Sequence, residues 1–429
     1  MDWKEIYKSK LVSVQEAAAK IESGDRIWFG PCSAAPIQFM EALADRVDEL
    51  IDVNVISGLY LHPFKFIQSP KYIGRINAYT MFYGPYERAF FKAGNITINS
   101  VNFSKVHIYL RDIFKANVLA ADVSVPDNDG YLYYGAMGVA WNDMVAKTAK
   151  KKIVQVNKYQ PKVNGIEHRI HVSEVDYICE FDHELPPLPQ PPTTDVDNKI
   201  ADNLLTYIPD GSTIQFGVGG LSNAIGYRLE TKKNLSIHTE MFTDSMLHLV
   251  QKGAVTGKIV AGFGLGSNEL YDFMADERVE LRPVRLTNDP YEIAKVDNLI
   301  SVNVTLMVDL TGQACSESIG FYQYSATGGQ SDFARGAALS NGGKSFLCLP
   351  STFEAKDGQK KSTITPFFPP GASVTTQRSD VMYIATEYGI ADLYLKTIPD
   401  RVKSMISVAH PDFRDDLRKQ AIEVGLIRS

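Results

Sequence analysis

Ser23-Gly24-Asp25-Arg26-Ile27-Trp28-Phe29-Gly30 aligns without a gap on Asp210-Gly211-Ser212-Thr213-Ile214-Gln215-Phe216-Gly217. Each stretch holds a turn, a short apolar run and a closing glycine. Helix-like sequence brackets both: residues 14–21 precede the first copy and 37–47 follow it, as 200–205 and 224–229 flank the second. Both halves of the chain therefore read helix, turn, strand, glycine loop, helix, a weak internal repeat.

Further strands are predicted at residues 53–56, 118–121, 153–156, 259–261, 299–304, 345–349 and 381–385, with helical patterns between many of them. Near-continuous apolar strands alternating with amphipathic helices indicate parallel sheets covered on both faces. The expected fold class is α/β: two similar α/β domains with mainly parallel sheets, related by internal duplication. A chain of 429 residues also exceeds a single hydrophobic core. The run Leu185-Pro186-Pro187-Leu188-Pro189-Gln190-Pro191-Pro192 removes backbone donors and favours extended geometry. It sets a linker at 186–195 between domains at 1–185 and 196–429.

With 45% hydrophobic and 22% charged residues the composition is that of a globular protein, and the net charge of −6 argues against a nucleic-acid partner. Cys32, Cys179, Cys315 and Cys348 form no CxxC pair, so a reducing, cytoplasmic setting is expected. No apolar run reaches membrane-spanning length, and Met1-Asp2-Trp3-Lys4-Glu5 does not read as a signal peptide. A membrane partner is not expected.

Glu240 follows the β-type run Asn234-Leu235-Ser236-Ile237-His238, which places a carboxylate at the C-terminal tip of a strand. The loop Gly217-Val218-Gly219-Gly220 ends the neighbouring apolar strand and leads into a helix, whose N–H groups and dipole suit a phosphate or an oxyanion. Alone, this loop is equally a tight turn. Glu240 alone reads more readily as a helix-start carboxylate on residues 241–250. Three more glycine clusters stand out: Ser325-Ala326-Thr327-Gly328-Gly329-Gln330, the flexible turn Gly262-Phe263-Gly264-Leu265-Gly266-Ser267, and Ser340-Asn341-Gly342-Gly343-Lys344, a plain hairpin or loop. His168 and His171 lack a third ligand, so no metal is expected. Cys32 has no fixed base near it in sequence and reads as packing.

His238-Thr239-Glu240-Met241, Gly328-Gly329-Gln330, Glu387-Tyr388-Gly389-Ile390-Ala391 and Ala409-His410-Pro411-Asp412-Phe413-Arg414 together resemble the class I CoA-transferases. The branch is that of the 4-hydroxybutyrate and butyryl-CoA:acetate CoA-transferases, within the acetyl-CoA hydrolase/transferase group. The resemblance implies a duplicated fold of the CoA-transferase type, and a transfer of CoA between an acyl-CoA and a small carboxylic acid. Glu240 would be the nucleophile that becomes a glutamyl-CoA thioester, and Gly329 an oxyanion donor, with Gly30-Pro31-Cys32-Ser33 offering another and the acyl group at the domain seam. Gln215, Phe216, Gly217, Val218, Gly219, Gly328 and Gly329 would lie against CoA, joined by Leu306, on the strand near Asn303, and Lys356. Coenzyme A would be substrate and covalent intermediate, with no tightly bound cofactor and no metal; the alternatives are an acyl-CoA hydrolase using the same Glu and a non-catalytic sensor of CoA or sugar phosphate. A homodimer or homotetramer is expected. The aromatic run Tyr79 to Phe91, with Tyr131, Tyr133 and Tyr134, reads first as core and second as the wall of an acyl pocket for a larger or apolar acid. Leu221-Ser222-Asn223 departs from the short-chain branch, which often has proline and an acidic residue there, so 4-hydroxybutyrate itself is not implied.

Overall fold

Short β-branched and aromatic runs form the central strands of two sheets in the computed structural model, which describes residues 2–428. The first sheet contains β1 (Arg26–Phe29), β2 (Val53–Ser57), β3 (Ile76–Thr80), β4 (Thr97–Ile98), β5 (Val118–Val123), β6 (Lys151–Val156) and β7 (Tyr177–Glu180), in the order β4-β3-β2-β1-β5-β6-β7. Every pair in it is parallel. The strands β1 and β5 are almost wholly buried, as expected for strands covered on both faces.

The second sheet repeats this plan. Its strands are β8 (Thr213–Phe216), β9 (Leu235–Phe242), β10 (Val255–Gly264), β11 (Val279–Leu281), β12 (Leu299–Val304), β13 (Lys344–Cys348), β14 (Tyr383–Thr386) and β15 (Gly389–Asp392), in the order β11-β10-β9-β8-β12-β13-β14-β15. Apart from the antiparallel hairpin strand β15, the order is that of the first sheet, with β8 standing for β1. The duplication expected from the gap-free repeat is therefore present in the topology. In both sheets the chain winds one way from the central strand and then jumps to its other side, giving a switch point between β1 and β5 and another between β8 and β12.

Two compact units emerge that do not follow chain order. Unit 1 comprises residues 1–189, Glu240–Phe242 and Val260–Thr287; unit 2 comprises Gln190–Thr239, Thr243–Ile259 and Asn288–Ser429. Strands β9 and β10 thus pass from one unit to the other along their own length. The proline-rich segment changes unit at Pro189/Gln190 and is anchored on each side: Leu188 N–H donates to Gly266 O and Tyr271 Oη to Pro186 O in unit 1, while Asn223 donates to Pro191 O in unit 2.

One expectation is corrected here. Gly262 and Gly264 lie inside β10, not in a turn. They serve close packing: a Cβ at Gly262 would stand 2.8 Å from Glu240 O, and one at Gly264 would stand 2.6 Å from Met274 Sδ. Ser340 to Lys344, read as a plain hairpin or loop, is the loop: it joins the helix Gln330–Leu339 to β13.

Candidate active site

In unit 2 the two strands that flank the switch point, β8 and β12, are paired in register, with Phe216 opposite Val302. The loop Gly217-Val218-Gly219 follows β8 and delivers the chain into the helix Gly220–Arg228. Gly219 is at φ +114°, a conformation that disfavours any side chain, and no side chain caps the helix. A Cβ at Gly217 or Gly219 would meet nothing within 4 Å. The loop is thus open to close approach at Gly217 and Gly219, whereas at Gly220, the first helical residue, a Cβ would stand 2.8 Å from Pro192 O and 3.0 Å from Asp197 Oδ2.

Gln215 and Phe216 are both buried below this loop. Gln215 Oε1 accepts from Ser301 Oγ at 2.7 Å and from Asn303 Nδ2 at 3.3 Å, which ties β8 to β12. Phe216 is core. Leu306 is not on the strand with Asn303 as expected; β12 ends at Val304, and Leu306 sits in the bend after it, its N–H donating to Cys315 O. Lys356 is exposed in the turn between the antiparallel strands Thr352–Glu354 and Lys360–Ser362.

The second glycine loop is also in unit 2. Gly328, at φ +60°, and Gly329 are buried, and Gly329 begins the helix Gln330–Leu339, again without a side-chain cap. The loop is framed by residues distant in sequence: Thr327 Oγ1 donates to buried Glu317 at 3.3 Å, Thr375 Oγ1 to the same carboxylate at 3.2 Å, and Gln330 Nε2 to Thr376 Oγ1 at 3.0 Å. Glu317, Thr375 and Thr376 carried no sequence signal, because no local motif links them to the glycines.

Two of the quoted motifs meet for structural reasons. Glu387 and Tyr388 form the hairpin turn between β14 and β15, and the Tyr388 ring lies 5.3 Å from that of His410 with the Arg414 guanidinium 5.6 Å from its centre. Glu387 accepts from the N–H of buried Ser351 at 2.9 Å and from its hydroxyl at 2.5 Å. Replacing Glu387 with Ala leaves both donors buried without an acceptor; a loss of about 2 kcal/mol is expected in urea unfolding, with Ser351→Ala recovering part of it.

In unit 1, Glu240 lies within β9, two residues before its end, and is half-buried. It does not begin a helix; the helix that follows runs Asp244–Gln251. Its backbone carbonyl packs against Gly262, where a Cβ would also stand 3.1 Å from Thr287 Oγ1 and 3.4 Å from Val284. The register of the first sheet supplies its counterpart: Arg26 pairs with Asn54 as Thr213 pairs with Ser236, so Gly58 occupies in the first repeat the place of Glu240 in the second. The first half has no carboxylate there.

The loop Gly30-Pro31-Cys32-Ser33 offers less than expected as an oxyanion site. Gly30 N–H donates to Ala120 O and Cys32 N–H to Leu59 O, and Pro31 has none. Burial pushes the Cys32 thiol well above its ordinary range, in keeping with a packing role. In the aromatic run, Met81 and Tyr83 are core residues, while Tyr131 and Tyr133 lie under the Arg169 guanidinium. His171 bonds Ser173 and Asp129 O, and no metal-ligand cluster occurs among the described residues.

With this geometry in view, comparison with known proteins is decisive. Residues 1–188 match the acetyl-CoA hydrolase/transferase N-terminal domain and 266–421 its C-terminal domain. The chain belongs to the acetyl-CoA hydrolase/transferase family. It is 41% identical to a succinyl-CoA:cyclohexane-1-carboxylate CoA transferase of Geobacter metallireducens over 98% of this chain and 97% of the relative. A 4-hydroxybutyrate coenzyme A transferase of Clostridium kluyveri is 38% identical over 98% and 99%. The crystal structure of RipA from Yersinia pestis superposes with a TM-score of 0.92 at 34% identity, covering 100% of both chains. Family membership bears out both the resemblance and the expected α/β fold.

Proposed function

We propose that this family member is a CoA-transferase that moves CoA between an acyl-CoA and a free carboxylic acid, with Glu240 as nucleophile. The observation that carries the reading is the placement of this carboxylate near the C-terminal end of β9, the strand next to the switch-point strand β8, in a family whose relatives are named CoA transferases. The open loop Gly217-Val218-Gly219 supports a role in holding CoA, with Leu306 beyond the other switch-point strand. Lys356 would meet a CoA phosphate as a point charge.

The Glu240 carboxylate attacks the thioester carbonyl, the C–S bond breaks, and an acyl-glutamyl anhydride and CoA thiolate result. The thiolate attacks the glutamyl carbonyl, forming the glutamyl-CoA thioester and releasing the acyl group as its carboxylate. The acceptor acid runs the steps in reverse. Each attack builds an oxyanion, for which Gly329, at the head of its uncapped helix, is the proposed backbone donor; one such donor is worth about 10²–10³ in rate. Transfer without loss requires that water stay away from both intermediates. CoA acts as substrate and covalent intermediate only. A homodimer or homotetramer in the cytoplasm fits a metabolic enzyme, and no helix among the described residues is long and apolar enough to cross a membrane.

Incubation with acyl-CoA alone, borohydride reduction and peptide mass spectrometry should place the modification on Glu240. Label on another residue, or none, overturns the assignment. Release of free thiol without an acceptor acid would instead mark a hydrolase.

A further inference from the structure

Unit 1 contains an ion cluster that no step of the transfer uses. Arg285 Nε donates to Asp143 at 2.9 Å, and its Nη2 donates to Glu167 at 2.7 Å; Lys147 also pairs with Glu167. Asp143, on the helix Gly135–Thr148, is almost fully buried, and burial pushes its carboxyl up, while hydrogen bonds from its neighbours overcome partial burial and hold that of Glu167 down. A guanidinium spanning two carboxylates fixes geometry in a way that a single point charge does not.

The cluster fastens one particular segment. Arg285 sits in the four-residue helix Val284–Thr287, directly after β11. The backbone is fixed beside it, since Leu281 N–H donates to Asn164 O and Ile166 N–H to Leu281 O. Val284 and Thr287, on either side of Arg285 in sequence, are the residues that close around Gly262, whose missing side chain is what lets the Glu240 carbonyl pack at that point.

We propose that Arg285, through Asp143 and Glu167, is a positioning residue for Glu240: it holds Val284 and Thr287 against Gly262 and so fixes the backbone that carries the nucleophile. The proposal rests on the reading of Glu240 as nucleophile. Arg285 touches no reacting atom in this scheme, so its loss slows attack and leaves acyl-CoA affinity intact. A displacement near 1 Å costs on the order of 10² in rate.

The test is single-turnover formation of the Glu240 thioester from acyl-CoA, quantified by mass spectrometry, with acyl-CoA Kd measured in parallel. Arg285→Gln should slow formation about 10–100-fold with Kd within about twofold, and Arg285→Lys, which keeps the charge, should restore part of the rate. Gly262→Ala, which pushes on the Glu240 carbonyl with the ion cluster intact, should reproduce the defect. Glu167→Gln removes one arm at a half-exposed site and serves if Arg285→Gln does not fold; it should slow formation several-fold. Wild-type rates in folded Arg285→Gln, Glu167→Gln or Gly262→Ala overturn the proposal, as does a defect confined to Kd. If the wild-type protein carries its label elsewhere than Glu240, the nucleophile assignment is what fails.

Discussion

Glu240→Gln should abolish CoA transfer, lowering kcat by about 10³-fold or more, a scale set by removal of other enzymic nucleophiles, while thermal unfolding and CoA affinity stay near wild type. The side chain keeps its volume, so the half-buried position on β9 is filled as before. What changes is chemistry: a neutral amide does not displace a thiolate to give an anhydride, so no covalent intermediate forms. Glu240→Asp retains the carboxylate but withdraws it by one methylene, and a shortfall of that size should still cost about 10²-fold. Steady-state transfer between an acyl-CoA and acetate, with intact-mass analysis after incubation with acyl-CoA, checks both. Turnover at the wild-type rate in Glu240→Gln would remove this residue from the mechanism.

The fold was legible because its organising signal is local and repeated. The runs at 26–29 and 213–216 became the central strands of two sheets with one strand order. The central strand Leu299–Val304, buried over its first four residues, has the bounds predicted for it. The unpredicted strands Ile76–Thr80, Thr97–Ile98, Tyr177–Glu180 and Val279–Leu281 lie toward the sheet edges or are short, where polar residues interrupt the pattern. At the candidate site, Glu240 and the glycine loops were found by motif, whereas their supports were not. Arg285 meets Asp143 across 142 residues, and Thr375 meets Glu317 across 58. Such pairings arise from topology, and no window of sequence contains both partners. Gly262 read as a turn because the carbonyl that it accommodates, that of Glu240, belongs to another strand.

Register also explains what the first repeat does with the place that Glu240 occupies in the second. There the chain has Gly58, and the nearby carboxyl is that of Glu87, fully buried, accepting from Tyr60 N–H at 2.8 Å, Gly84 N–H at 3.0 Å and Thr80 Oγ1 at 3.3 Å. It ties the loop after β2 to the loop after β3. Burial raises its pKa from 4.5 to about 7, against the pull of those hydrogen bonds. The sign follows from proton counting: between these values the unfolded chain has released its proton and the folded protein retains it, so this group's stabilisation is complete below 4.5 and is lost as pH rises through about 7. The gap corresponds to roughly 3 kcal/mol. Glu87→Gln removes the titration; it also loses an acceptor for Gly84 N–H, which costs about 1–2 kcal/mol at every pH. Urea unfolding of both proteins should therefore show the difference in stability moving by about 2–3 kcal/mol in favour of glutamine between pH 5 and pH 8. A difference that does not change with pH would mean that Glu87 is already ionised in the folded protein, and that its hydrogen bonds outweigh its burial.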